Sequence, residues 1–117
     1  MSAYLPSTTS IPNATATGVT SISLTAGTWV VIGKVTYQSG TANTYRLVTL
    51  GTSAGGSQYG WTQFLGISGY KCSGINARII TLTATTTVHL SAQHNSGAAI
   101  NVAGGANNTF IQAVRIA

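Results

Sequence analysis

Residues 28–38 read TWVVIGKVTYQ, and this stretch decides the fold. It is rich in the β-branched and aromatic residues that favour strands. Because successive side chains of a strand point to opposite faces, every second residue of the stretch shares one face. That face carries Trp29, Val31, Gly33, Val35 and Tyr37. We predict a long strand here, with this mostly apolar face packed in a core.

Shorter segments of the same character surround this strand, separated by turns such as residues 39–42 and by the Gly-rich loop 51–60. No segment shows a helical period of 3.6 residues with caps. Short strands with turn signals every 8–12 residues or so are typical of sandwiches and jelly rolls. The sequence predicts an all-β fold, a two-layer antiparallel β-sandwich of the jelly-roll type spanning residues 18–117. The other strands are expected at 19–24, 44–50, 61–67, 76–83, 86–93, 99–102 and 109–116, with 76–83 and 86–93 forming a hairpin.

Residues 1–17 differ from the rest, being rich in Ser, Thr, Ala and Asn and interrupted by two prolines. The stretch has no sustained periodicity and is predicted to be an extended N-terminal arm. Tyr4, Leu5 and Ile11 are apolar residues that a solvated tail does not need. We therefore expect the arm to dock on a neighbouring subunit or partner through these three residues.

The charge inventory is unusual, because the chain has no Asp or Glu and a formal net charge of +5. An acidic partner would be attracted by such a surface, with Lys34, Arg46 and Lys71 as candidate contacts. The alternative is a neutral polar surface with scattered bases. Nucleic-acid binders cluster their Lys and Arg residues, so we expect no nucleic-acid partner. No apolar run approaches the roughly 20 residues that cross a bilayer, so we expect no membrane span.

The missing carboxylates exclude several kinds of chemistry. Glycoside hydrolysis with paired carboxylates, the Ser-His-Asp triad and oxygen-ligand calcium or magnesium sites all need Asp or Glu. On one strand, His89 and His94 would face opposite sides and make a poor metal pair. Nothing around the single cysteine, Cys72, resembles a nucleophile motif. We predict that the protein is not an enzyme and has no cofactor or metal.

The last predicted strand is largely apolar on both faces, which suggests that both faces are buried. A core accounts for one face, and a neighbouring subunit is the natural cover for the other. The alternative cover is the N-terminal arm or a loop. We assign an oligomer interface to Phe110, Gln112, Val114 and Ile116, and add His89 as a polar interface residue.

Three stretches resemble a known family. Residues 24–31 (LTAGTWVV) resemble the opening of C1q/TNF-like jelly rolls, and residues 85–93 (TTTVHLSAQ) with 110–116 (FIQAVRI) resemble the closing strands of such domains in bacteriophage structural proteins. The resemblance implies trimers around a threefold axis. It also implies one of two roles: a capsid decoration (cement) protein, or the receptor-binding head of a tail fibre that binds a host glycan. Exposed aromatic residues that would contact a glycan are Tyr59, Trp61 and Tyr70.

Of the two roles, decoration is favoured, because fibre heads usually follow a long shaft and this chain begins with Met1 and a short arm. We therefore expect a homotrimer on the outer capsid surface, made in the bacterial host cytoplasm and bound to the major capsid protein. The tail-fibre head is the alternative.

Overall fold

The structure is a computed structural model that describes residues 1–38, 44–67 and 69–117. The turn expected at residues 39–42 lies outside these ranges. The described residues contain no helix long and apolar enough to cross a membrane. They form ten strands: β1 (Ser2–Tyr4), β2 (Thr9–Ile11), β3 (Thr17–Leu24), β4 (Gly27–Tyr37), β5 (Tyr45–Gly51), β6 (Trp61–Leu65), β7 (Cys72–Leu82), β8 (Thr86–His94), β9 (Ile100–Val102) and β10 (Phe110–Arg115).

The strands form two antiparallel sheets, which confirms the predicted sandwich. In the first, called here the β4 sheet, β4 pairs with β7 along one edge and with β10 and β9 in succession along the other. β1 and β2 extend this sheet by pairing with β10 and β9. The second, called here the β8 sheet, has the order β3-β8-β5-β6.

The strand order is that of a jelly roll. β1 with β2, and β9 with β10, each occupy the place of one interrupted strand. Counted in this way, the ten segments make eight strands. If these eight are numbered from 1 to 8 in chain order, the β4 sheet has the order 1-8-3-6 and the β8 sheet has the order 2-7-4-5. Consecutive strands mostly cross between the sheets, as the two Greek keys of a jelly roll require.

The core lies between the sheets, and the predicted inner face of β4 is part of it. Val31, Val35 and Tyr37 are fully buried, and Trp29 is 8% exposed. The β8 sheet contributes its own alternate residues, including Val48, Leu50, Val88 and Leu90. A Cβ atom on Gly33 would come within 2.6 Å of Leu90 Cδ1, so a glycine here allows the two sheets to approach closely.

The N-terminal residues are extended, but they dock on their own chain. Ser2–Tyr4 pairs with residues 110–112 and Thr9–Ile11 pairs with residues 100–102. Leu5 and Ile11 are 7% and 0% exposed in the core, and the Leu5 N–H donates to Thr109 O at 3.0 Å. The segments β1 and β2 therefore form the first jelly-roll strand and are part of the sandwich, so they do not make the separate N-terminal arm expected over residues 1–17.

The predicted hairpin of residues 76–83 and 86–93 is wrong. β7 pairs with β4 over its whole length, whereas β8 pairs with β3 and β5 in the other sheet. The short connection at residues 83–85 crosses from one sheet to the other. The β5–β6 pair is formed by consecutive strands within one sheet.

Because Ile11 is fully buried, Ile11→Ala should lower the free energy of unfolding by about 2–5 kcal/mol. The matched control is Leu65→Ala, which removes a side chain that is 60% exposed and should change stability by no more than about 0.5 kcal/mol. Urea unfolding followed by circular dichroism measures both. Equal, small effects would show that the N-terminal strand is not part of the folded unit.

Candidate interaction surfaces

The outer face of the β4 sheet is apolar and exposed. Register places Tyr4, Phe110, Lys34 and Ile75 in one row across the sheet, and Val114, Val30 and Ile79 in another. Its most exposed apolar residues, 51–71% accessible, are Tyr4, Ile75, Ile79, Val114 and Ile116. Val30, Ile32 and Phe110 are half-buried between them. These eight residues are called here the apolar face.

Few polar groups interrupt the apolar face. Gln112 is exposed in the row between the two described above, beside Ile32. Lys34 lies at the rim, where its Nζ donates to Asn107 O at 3.0 Å and lies 5.9 Å from the centre of the Phe110 ring. At the other end, the hydroxyls of Thr28 and Thr81 are 3.1 Å apart. Within the part of the chain that the structure describes, the face therefore carries one charged side chain, which lies at its margin.

Of the predicted interface residues, four lie together on this side of the molecule. Phe110, Val114 and Ile116 belong to the apolar face and Gln112 lies within it. His89 does not join them, because β8 is in the other sheet, where His89 is half-buried on the outer surface. Tyr4, predicted as a partner contact, does belong to the apolar face.

The outer surface of the β8 sheet is mixed in character. Ser23, Thr87, Gln63 and Gln93 alternate there with Leu47 and Trp61. His94, five residues after His89, is fully buried, so the two histidines do face opposite sides of β8. The Nδ1 atom of His94 accepts a hydrogen bond from the Ser96 N–H at 3.3 Å. The Nε2 atom of His94 then carries the proton and donates to Ile11 O at 2.9 Å. His94 thus ties β8 to the N-terminal strand.

A shallow cleft of about 230 Å³ opens on the β8 sheet. Its lining is uncharged and combines apolar and hydrogen-bonding groups: Leu47, Thr49, Gly55, Ser57, Trp61 and Gln93. Trp61 is 57% exposed, so its ring is accessible to a ligand. Tyr59 instead packs against the core, and Tyr70 lies beyond the far end of β6, so the three predicted glycan-contacting aromatics do not share one site.

The three bases predicted to meet an acidic partner lie in three different environments. Lys34 is at the rim of the apolar face, and Lys71 is exposed in the β6–β7 connection. Arg46 is only 1% exposed, which makes its prediction as a surface contact wrong. The period-two alternation of β5 contained the signal, because it places Arg46 on the same face as Val48 and Leu50.

Arg46 belongs to a buried polar group that the sequence reasoning missed. Its guanidinium donates to Thr44 O at 3.2 Å and to Thr44 Oγ1 at 2.5 Å, and lies 5.8 Å from the centre of the Tyr37 ring. The Tyr37 hydroxyl donates to Leu47 O at 2.6 Å and accepts from the Gln93 N–H at 3.0 Å. The end of β4 is thereby fastened to β5 and β8 in the other sheet.

Burial raises the pKa of the Tyr37 phenol above its ordinary value of 10.0, and this sets a pH dependence. Above about pH 10 the unfolded chain loses this proton while the folded chain keeps it. The contribution of the buried Tyr37 phenol to stability is therefore fully present below pH 10. The free energy of unfolding should fall as the pH rises above that value. Tyr37→Phe should cost about 1–3 kcal/mol at pH 8, because it leaves two buried main-chain groups unpaired.

Urea unfolding at pH 8 and pH 11 would measure this dependence. Wild type should lose more stability over the interval than Tyr37→Phe, which lacks the buried phenol. Equal losses would contradict burial of Tyr37 as the cause.

Comparisons with known proteins agree with this architecture. No family model matches the chain, and no curated protein matches its sequence. Among solved structures, the chain is similar to the infectious bursal disease virus VP2 subviral particle, with a TM-score of 0.57 and 11% sequence identity. The match covers 100% of this chain, and the chain spans 37% of the VP2 chain.

At that identity the likeness concerns the fold. The protein is an all-β sandwich with jelly-roll connectivity, a fold similar to that of the VP2 chain. The C1q/TNF-like and bacteriophage parts of the expected resemblance stay predictions.

Proposed function

We propose that this protein is a virion structural protein that decorates the outer shell of a bacteriophage capsid as a symmetric oligomer. One observation carries the proposal: the jelly roll leaves one sheet face apolar and the other mixed and polar. A sheet that is apolar on both sides is stable in water only when a second layer covers it. Such a face suits a subunit of an assembly, and the likeness to the chain of the VP2 subviral particle supports a structural role in a virion.

The surface charge fits a partner that supplies acidic groups. The chain has a formal net charge of +5 and no Asp or Glu, so any salt bridge with a capsid must use carboxylates of the capsid protein. Lys71 and Arg115 are exposed and would take part. Leu5 and Ile11 would not, because they are packed in the core. A clamp made by a free N-terminal arm is therefore replaced by contacts of the folded domain.

The copy number in purified virions tests the proposal. Quantitative mass spectrometry against the major capsid protein should give a molar ratio approaching one or a simple fraction of it. A few copies per particle would contradict decoration and favour a fibre. Absence from the virion would contradict a structural role altogether.

A second candidate function, the receptor-binding head of a tail fibre, is supported by the cleft beside Trp61. An exposed aromatic ring next to the Gln93 amide and the Thr49 and Ser57 hydroxyls provides a stacking surface and neutral hydrogen-bonding groups, as a sugar ring requires. Under this alternative the ligand is a neutral glycan of the host surface.

Calorimetric titration with purified host polysaccharide tests this second function. Trp61→Ala should weaken binding about tenfold, the equivalent of losing one aromatic contact of about 1.4 kcal/mol. Tyr70→Ala is the control, since Tyr70 is 69% exposed and lies away from the cleft. No heat with wild type, or equal weakening by both variants, would exclude the cleft as the binding site.

A further inference from the structure

The apolar face is large enough to require a partner of defined size. A large apolar residue presents about 200 Å² when fully exposed, as aromatic side chains do. Tyr4, Ile75, Ile79, Val114 and Ile116 are 51–71% exposed, which leaves roughly 600 Å² on that scale. This is the upper end of the about 300–600 Å² found for the largest apolar patch of a typical monomer. With its half-buried neighbours and polar rim, the face approaches the about 800 Å² that each partner buries in a standard interface.

We propose that the apolar face is covered by the same face of a second copy of this chain, related by a twofold axis. The inference deepens the structural role proposed above and rests on it. An isologous contact places each apolar face on a surface of equal size and character. The other choice would be to pack the apolar face of one copy on the outer surface of the β8 sheet of another. Among the described residues that surface alternates polar with apolar side chains, so it matches the apolar face less well.

Charge on the apolar face agrees with this partner. Any contact made through opposite charges would need many bases on the face, yet Lys34 is its one charged side chain among the described residues and bonds to Asn107 O at the rim. Two faces packed as layers about 10 Å apart would leave both Lys34 side chains at the margin, in reach of water.

Gln112 is the polar residue nearest the middle of the contact. A carboxamide both donates and accepts, so two symmetry-related copies of Gln112 can satisfy each other when buried. A carboxylate at the same position would be buried as a charge without a cation beside it. Gln112→Glu therefore tests the contact with almost no change of shape.

Sedimentation equilibrium of the full chain measures the assembly. Wild type should give a mass of twice the 11.9 kDa of one chain. The double variant Ile79→Thr, Val114→Thr keeps β-branched residues at both exposed positions and should weaken association at least a hundredfold. The control Leu65→Thr removes a side chain that is 60% exposed on β6 in the other sheet, and should leave the dimer intact. Circular dichroism checks that each variant is folded.

Gln112→Glu adds a pH arm. It should be monomeric at pH 7 and dimeric near pH 4, where about half or more of the glutamates are protonated. The wild-type apolar face has no histidine, Asp or Glu among its described residues, so wild type should stay dimeric at both pH values. A monomeric or trimeric wild type, or a double variant as tightly dimeric as wild type, overturns the inference. High copy number in virions together with a monomer in solution would retain decoration and reject this contact, so the two proposals fail separately.

Discussion

β4 is paired along both edges, and the rest of the sandwich depends on the register of that pairing. All eleven of its residues align with β7, and residues 29–34 align with β10 on the other side. With both edges fixed, every second residue of β4 enters the core, and two of the others, Val30 and Ile32, belong to the apolar face. A slip of one residue would exchange the two sets and place Lys34 between the sheets. The core and the outer surface of this sheet are therefore set by the same hydrogen bonds.

The basic residues act within this frame as ties to the main chain. Lys34 and Arg78 donate to the carbonyl oxygens of Asn107 and Tyr59 at 3.0 and 2.9 Å, and the buried Arg46 donates to the carbonyl oxygen of Thr44 at 3.2 Å. In a chain without Asp or Glu, carbonyl oxygens are the strong acceptors available to these cations. These three bases each hold a different loop or strand end, which agrees with their being scattered singly along the chain.

The sequence was sufficient for the features that depend on local alternation and failed for those that depend on distant pairing. The inner face of β4, the apolar outer face of β10 and the loop between β5 and β6 all follow from residue order. The N-terminal strand could not be predicted from residue order, because its two short segments have almost no periodicity of their own. They become strands by pairing with β10 and β9, about a hundred residues away in the sequence. For the same reason β7 and β8 were expected to pair, since adjacency cannot show which sheet each strand joins. Alternation could have placed Arg46 in the core, but a charged residue is rarely expected there.

The hydrogen bonds from basic side chains to main-chain carbonyl oxygens have a consequence for stability at low pH. Most proteins unfold at low pH because carboxylates that are paired in the native state become protonated. This chain has no side-chain carboxylate to lose, and its carbonyl acceptors do not titrate in that range. Protonation of side-chain carboxylates, the usual cause of acid unfolding, therefore has no group to act on in this sandwich.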